Sequence, residues 1–221
     1  MKSINYLLVF LIVVIFVVYE KAKADCPPGW EEHSVTAIYT EYFQGAPFSC
    51  VFTIYFCCRW NNDLKQVELM VDYVYPTYSL YCFLFIRDWR GFNSWVHSTI
   101  LNSSIVCNPP YPPCDDTTQI HYEVILRKVQ CWYFENWQPY VGDDFVTRLV
   151  KCDNQSNICQ DTYRVCIDYS VSPPEIRRIL ISSILTGPPE CQTEVPELPP
   201  ENDPRYSIYW ITTCFATPCG N

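Results

Sequence analysis

The chain has 221 residues, 14 of them cysteine, and a formal net charge of −9 at pH 7. An acidic chain without a lysine or arginine cluster repels phosphate backbones, which excludes nucleic acid as a partner. The even cysteine count and the lack of any CxxC pair point to disulfides rather than a structural zinc site.

In chain order, residues 1–24 read as a signal peptide. Lys2 supplies a positive start, residues 6–18 are an unbroken apolar run, and Ala22-Lys23-Ala24 is a small-x-small cleavage site. The run is short for a bilayer span, which needs about 20 apolar residues. No later stretch is long enough to cross. The expectation is a secreted product, extracellular or periplasmic, with no membrane span in the mature chain. Residues 25–221 then form a single disulfide-rich β domain.

Residues 26–30 form a proline-stiffened entry segment. Residues 34–43, 48–60 and 64–75 are rich in β-branched and aromatic residues and read as strands. In the third, alternation puts Val67, Leu69, Val71, Tyr73 and Tyr75 on one face, and Gln66, Glu68, Met70 and Asp72 on the other. Cys57 and Cys58 are neighbours on a strand and so point to opposite sides, which predicts two separate disulfides, one per face.

Residues 84–101 carry apolar side chains every three to four positions and predict the one helix. Gly91 weakens it by about 1 kcal/mol relative to alanine. A proline-rich loop separates Cys107 from Cys114, which suggests a local bridge. Residues 120–134 read as one further strand.

The most legible unit is 145–169, two apolar segments around the polar turn Asp153-Asn154-Gln155-Ser156-Asn157. It predicts a hairpin closed by Cys152 with Cys159. Its register puts Val146, Val150, Tyr163, Val165 and Ile167 mostly on one face, and Phe145, Leu149 and Cys166 on the other. Cys166 then points away from Cys159, which calls for cover on both sides of the sheet. Residues 175–185 fit either helix or strand. The segment 186–205, rich in proline and glutamate, reads as extended linker. Residues 206–214 make a last strand, and Cys214 with Cys219 closes a small terminal loop. The fold class is therefore mainly β, with α+β possible as the alternative: a disulfide-rich antiparallel sheet or sandwich with one helix near 84–101.

The start Cys-Pro-Pro-Gly-Trp at 26–30, the Cys-Cys-Arg-Trp strand at 57–60, Cys131-Trp132 and the closing Cys214 and Cys219 resemble a group of bacterial secreted cysteine-rich proteins. The resemblance implies export across a bacterial inner membrane. It carries over no activity and no site residue.

Catalytic chemistry has little support. His33, His97 and His121 lie in no HExxH, and no serine lies in GxSxG. His97 falls on the polar side of the helix and reads as a surface residue. The acid pairs Asp115-Asp116 and Asp143-Asp144 read as solvated loop residues, because glycoside hydrolysis needs carboxylates about 5–10 Å apart across a cleft. The alternating oxygens of Asp153, Gln155, Asn157 and Asp161 lack the glycine of a calcium loop. No cofactor is implied. Asn102-Ser103-Ser104 and Asn154-Gln155-Ser156 match the glycosylation sequon.

Trp132, Tyr133, Phe134, Trp137 and Tyr140 form the densest aromatic cluster and the candidate ligand surface, for a glycan or a protein. The expected function is a secreted or surface-associated structural or adhesive protein, non-enzymatic. The alternative is a carbohydrate-binding module using those aromatics.

Overall fold

The computed structural model describes residues 26–43, 45–79, 81–103, 107, 111–115, 122–139, 142–153, 157, 159–217 and 219. Residues 1–24, the expected signal peptide, and Tyr140 lie outside these residues.

One mixed sheet and one helix make up the described regular structure. The strands are β1 (Glu31–Phe43), β2 (Ala46–Asn61), β3 (Gln66–Pro76), β4 (Tyr122–Arg127), β5 (Cys131–Trp137), β6 (Val146–Lys151), β7 (Cys159–Asp168), β8 (Glu175–Leu185), β9 (Trp210–Ile211) and β10 (Phe215–Ala216). The helix α1 spans Trp89–Asn102.

β1, β2 and β3 form an antiparallel meander. Gly45, at φ 84°, turns the first corner in the left-handed region that glycine tolerates. The Asn61 side chain, accepting from the amides of Asp63 and Leu64, shapes the second. The far edge of β3 is shared. Its first half pairs with β4 in parallel, and its second half pairs with β6 antiparallel. The sheet therefore forks into two arms, β4–β7–β8 and β6–β5 with the short β9 and β10.

The fork overturns the hairpin expected over 145–169. β6 pairs with β3 and β5, whereas β7 pairs with β4 and β8. β6 and β7 therefore belong to different arms and are not neighbouring strands. The face assignments change with it. Leu149 and Val165 both enter the core, while Val150 packs with Tyr73 on the opposite face. The parallel β3–β4 pair also makes the sheet mixed, where an antiparallel one was expected. The single strand expected over 120–134 is divided by the irregular segment 128–130, which crosses from one arm to the other. The ambiguous 175–185 is strand.

All 14 cysteines are paired, none locally. The bonds are Cys26–Cys57, Cys50–Cys82, Cys58–Cys107, Cys114–Cys166, Cys131–Cys191, Cys152–Cys214 and Cys159–Cys219. The neighbours Cys57 and Cys58 do serve opposite faces: Cys58 joins the main core, and Cys57 joins the smaller cluster with Tyr73. The local pairs expected for Cys107 with Cys114, Cys152 with Cys159 and Cys214 with Cys219 do not form. Cys152 ends one arm and Cys159 begins the other, so each bonds the C-terminal tail instead.

α1 lies on one sheet face. Phe92, Val96, Ile100 and Leu101 meet Phe52, Ile54, Phe56, Leu69, Val71, Leu126, Trp132 and Phe134 in one buried cluster. The rings meet mostly edge-to-face: Phe52 and Phe92 at 5.1 Å, Trp89 and Phe134 at 5.5 Å, Trp89 and Phe215 at 5.4 Å. Such pairs add about 0.5–1.5 kcal/mol each beyond area burial. The helix starts later than expected, because Cys82–Phe85 form a separate 3-10 turn stapled to β2 through Cys50–Cys82. Asp88 caps α1 by accepting from the Gly91 amide at 2.8 Å, and the Glu41 carboxylate takes the amides of Arg87 and Asp88 at 3.2 Å.

The C-terminal tail is extended, as its prolines dictate, but it is a packed strap and not a linker. Val195 and Leu198 lie against the core, and the Tyr206 hydroxyl donates to the Pro199 carbonyl at 2.7 Å. The strand expected over 206–214 shrinks to Trp210–Ile211, with Tyr206 in a 3-10 turn. Asn136, fully buried, donates to the Tyr206 and Ile208 carbonyls and accepts from Thr147.

Bonds that close loops of this length each constrain the unfolded chain by about 4 kcal/mol in the chain-entropy account. Peptide mapping without reduction is expected to recover Cys152–Cys214 and Cys159–Cys219 and no peptide joining Cys152 to Cys159. Replacing Cys152 and Cys214 together by alanine is expected to lower the denaturant midpoint strongly while far-UV circular dichroism is retained.

Candidate functional site

Two places gather chemistry-bearing side chains. The first lies under α1. His97 is buried, not exposed, and one turn earlier Asn93 is buried too. Both ring nitrogens of His97 are used: Nδ1 bonds the Asn93 carbonyl at 2.8 Å, and Nε2 accepts the Val129 amide at 3.0 Å. The Asn93 amide donates to the carbonyls of Val129 and Thr217 and accepts from the Trp132 indole at 3.1 Å. This pair therefore clamps the crossing segment from both sides of Val129. Asp161 lies nearby, ion-paired to Lys128 and accepting from Ser183 and Tyr163. Burial alone would raise its pKa, but Lys128 and Ser183 outweigh that and hold it low.

The cavity here, lined by His97, Lys128, Asp161, Tyr163 and neighbours, is only about 90 Å³. A histidine whose two nitrogens face backbone has no free base to offer. The group holds the fold together and is not a catalytic centre.

The second place is the sheet face opposite α1. Here β3 departs from strict alternation. Tyr55 of β2 faces Tyr73, but the next residue, Phe56, faces Val71, so Asp72 is an extra, bulged residue. Val67, Leu69 and Val71 stay in the main core, while Tyr73, itself buried, and the partly exposed Tyr75 turn to the opposite face beside Met70. The face expected to run from Val67 to Tyr75 is thus split. Asp72 itself is held by Lys151 at 3.1 Å.

The flip assembles an aromatic floor. Tyr55 stacks on Tyr73 with centroids 4.6 Å apart and lies 5.9 Å from Tyr75. Arg148, from β6, sits 4.7 Å from the Tyr73 ring and 4.2 Å from the Trp137 ring, and Glu135 fixes its guanidinium at 2.7 Å. Tyr55, Tyr73, Tyr75, Trp137, Pro139, Val146 and Arg148 line an open cavity of about 230 Å³. Burial and the neighbouring Tyr55 push the Tyr73 pKa up, so its hydroxyl keeps its proton. Farther along the face, Trp30 lies under Arg59 and Arg127, at 5.0 and 5.7 Å, and both arginines pair with Glu68.

The expected ligand surface is divided by this geometry. Trp132 and Phe134 point into the core, since they alternate with Tyr133, and are 1% and 0% exposed. Tyr133 and Trp137 are half-buried on the open side, and Trp137 lines the cavity. Tyr55, Tyr73, Tyr75 and Arg148 were missed, because only the bulge turns the two β3 tyrosines to the opposite face. Asp115, Asp143 and Asp144 are exposed loop residues, and Asp116 is outside the described residues. Of the oxygen-bearing turn residues, Asp161 is engaged under α1, and the Asn157 amide donates to Pro188 and Glu190. His33 lies beside Cys58 and Cys107, but both sulfurs are in their disulfide and leave no thiolate for a metal.

His97 makes stability depend on pH. Desolvation lowers its pKa from 6.5 to about 4, against the opposing pull of its bond to Asn93. Between these values the unfolded chain binds the proton and the folded chain does not. Its contribution is therefore fully present above pH 6.5 and is lost as pH falls towards 4, by about 3 kcal/mol in all. Urea titrations at pH 7 and pH 4.5 are expected to show the loss, and His97→Gln to remove that part of it. Asn93→Ala is expected to cost about 1–3 kcal/mol at pH 7, because it strands the Trp132 indole and two carbonyls.

Compared with family models, curated proteins and solved structures, the chain matches none.

Proposed function

We propose that the chain is an exported, non-enzymatic protein with a structural or adhesive role, and that it attaches through the aromatic face of its sheet. The observation that carries this reading is the open cavity of Tyr55, Tyr73, Tyr75, Trp137 and Arg148. The helix packs on the other face. Export is supported by the full pairing of 14 cysteines, since disulfides persist in oxidising compartments. Among the described residues no helix is long and apolar enough to cross a membrane.

A sugar ring is the ligand this cavity suits best. At about 230 Å³ it is smaller than a typical drug-sized site and matches one ring. Aromatic faces stack on the apolar side of a pyranose, while phenol hydroxyls and a fixed guanidinium bond its hydroxyls. The tyrosines stand on paired strands and Arg148 is pinned by Glu135, so the surface needs little ordering to bind.

The test is a glycan array followed by calorimetry on the best hit. Binding is expected to fall tenfold or more in Trp137→Ala and in Tyr75→Ala, with the bound glycan recovered intact. Attachment to cells or to protein that is lost in the same variants, without glycan binding, would keep the surface and change the ligand. Unaltered attachment in both variants would refute the assignment of this face. Turnover of a glycan that disappears in Asp144→Asn would overturn the non-enzymatic reading.

A further inference from the structure

We infer that the free edge of β8 pairs with β8 of a second copy of this chain, antiparallel, about a two-fold axis normal to the sheet. β8 is 11 residues long and bonds only β7; among the described residues its other edge is unpaired. Exposed edges of this length are ordinarily protected by charge, proline or brevity. From Ile179 to Leu185 this strand has none of these. Ile179, Leu180, Ile181, Ile184 and Leu185 are 57%, 51%, 43%, 45% and 59% exposed. They lie on both faces of the strand, so a helix laid on one side would leave half of them in water. A strand added at the edge approaches both rows. At the opposite end of the sheet, β1 carries Glu31, Glu32, Glu41, Thr36 and Thr40 along its length.

Two observations select a second copy as that strand. The first is a bulge. Thr162 faces Ser182 and Tyr163 faces Leu180, which leaves Ile181 as an extra residue in the middle of β8. A regular partner strand, such as β7, leaves the extra residue without an opposite number. A second copy turned by the two-fold brings an identical bulge to the same place, with Leu180 opposite Ile181 of the other copy. Alternation then agrees on both sides of the centre. Ile176 meets Leu185 and Arg178 meets Ser183 on the helix side; Arg177 meets Ile184 and Ile179 meets Ser182 on the open side.

The second is charge. Arg177 and Arg178 lie in one half of β8, and the other half is uncharged. Antiparallel pairing sets each arginine pair against the uncharged half of its partner, whereas parallel pairing would stack arginine on arginine, which is unfavourable. The resulting contact is isologous and closes at two copies.

The experiment uses the mature full-length protein with its disulfides intact. Sedimentation velocity over a concentration series is expected to show a monomer–dimer equilibrium. Hydrogen exchange is expected to slow across Ile179–Leu185 as concentration rises. Ile179→Lys combined with Ile184→Lys is expected to weaken the dimer at least tenfold, with the disulfide map and circular dichroism unchanged. A chain that stays monomeric at every concentration would overturn the inference. So would assemblies larger than two, or a dimer whose β8 amides exchange as fast as in the monomer. The exchange measurement needs no variant and so stands even where the double lysine variant misfolds. None of the altered residues touches the aromatic cavity, so failure here leaves the proposed binding face untouched, and the reverse.

Discussion

The structure depends on how β3 divides its far edge between two strands. A fork in a sheet leaves a gap where the ladders separate, and backbone groups at that gap need partners other than strands. The segment 128–130 passes through this place as it runs from β4 to β5. Asn93 and His97 reach down from α1 and take both the amide and the carbonyl of Val129. Each polar atom they bring into the core is itself bonded, so a buried histidine and asparagine stabilise what would otherwise be a defect. Cysteines finish the closure: the ends of the two arms, Cys152 and Cys159, are tied to the same tail through Cys214 and Cys219.

This division of labour explains the cysteine content of a chain with a substantial aromatic core. Seven bonds are not needed to compensate for a missing interior. Cys131–Cys191, Cys152–Cys214 and Cys159–Cys219 act where hydrogen-bond ladders are scarce, along a tail whose longest strands are two residues. The proline-rich strap cannot form a continuous ladder, because proline lacks the donor. Crosslinks, Asn136 and a few apolar contacts hold it in place instead.

Local chemistry was legible in the sequence, and partnership was not. The β-branched and aromatic segments became strands, and the 3.6-residue pattern became a helix on one sheet face. Cys57 and Cys58 served opposite faces as alternation requires. Cys152 and Cys159 misled because a polar turn between two apolar segments is the usual mark of a hairpin, and nothing in their neighbourhood reveals β3 and β4 lying between the strands. Trp137 was legible as a surface aromatic. Tyr73 and Tyr75 were not, since a single extra residue at Asp72 reverses the face of everything after it, and its position depends on the neighbouring strand. His97 looked exposed because a helix face is judged by its polar neighbours, whereas its true partner is a backbone segment 32 positions away.

The two bulges have opposite consequences for the surface. At Asp72 the bulge turns tyrosines out of the main core and builds a rigid aromatic floor. At Ile181 it shapes the edge for which pairing with a second copy is proposed. A two-fold axis normal to the sheet keeps like faces together, so pairing through β8 leaves both aromatic floors facing the same way. A dimer of this kind meets a surface bearing many copies of one sugar with two sites at once. The second contact forms at a high local concentration, and such pairs of weak sites can gain about 10²–10⁴ in overall affinity without any new interaction. A shallow one-ring cavity would be a weak site alone. Set in a rigid sheet and doubled through the proposed edge pairing, it would have the geometry that attachment to a repetitive surface requires.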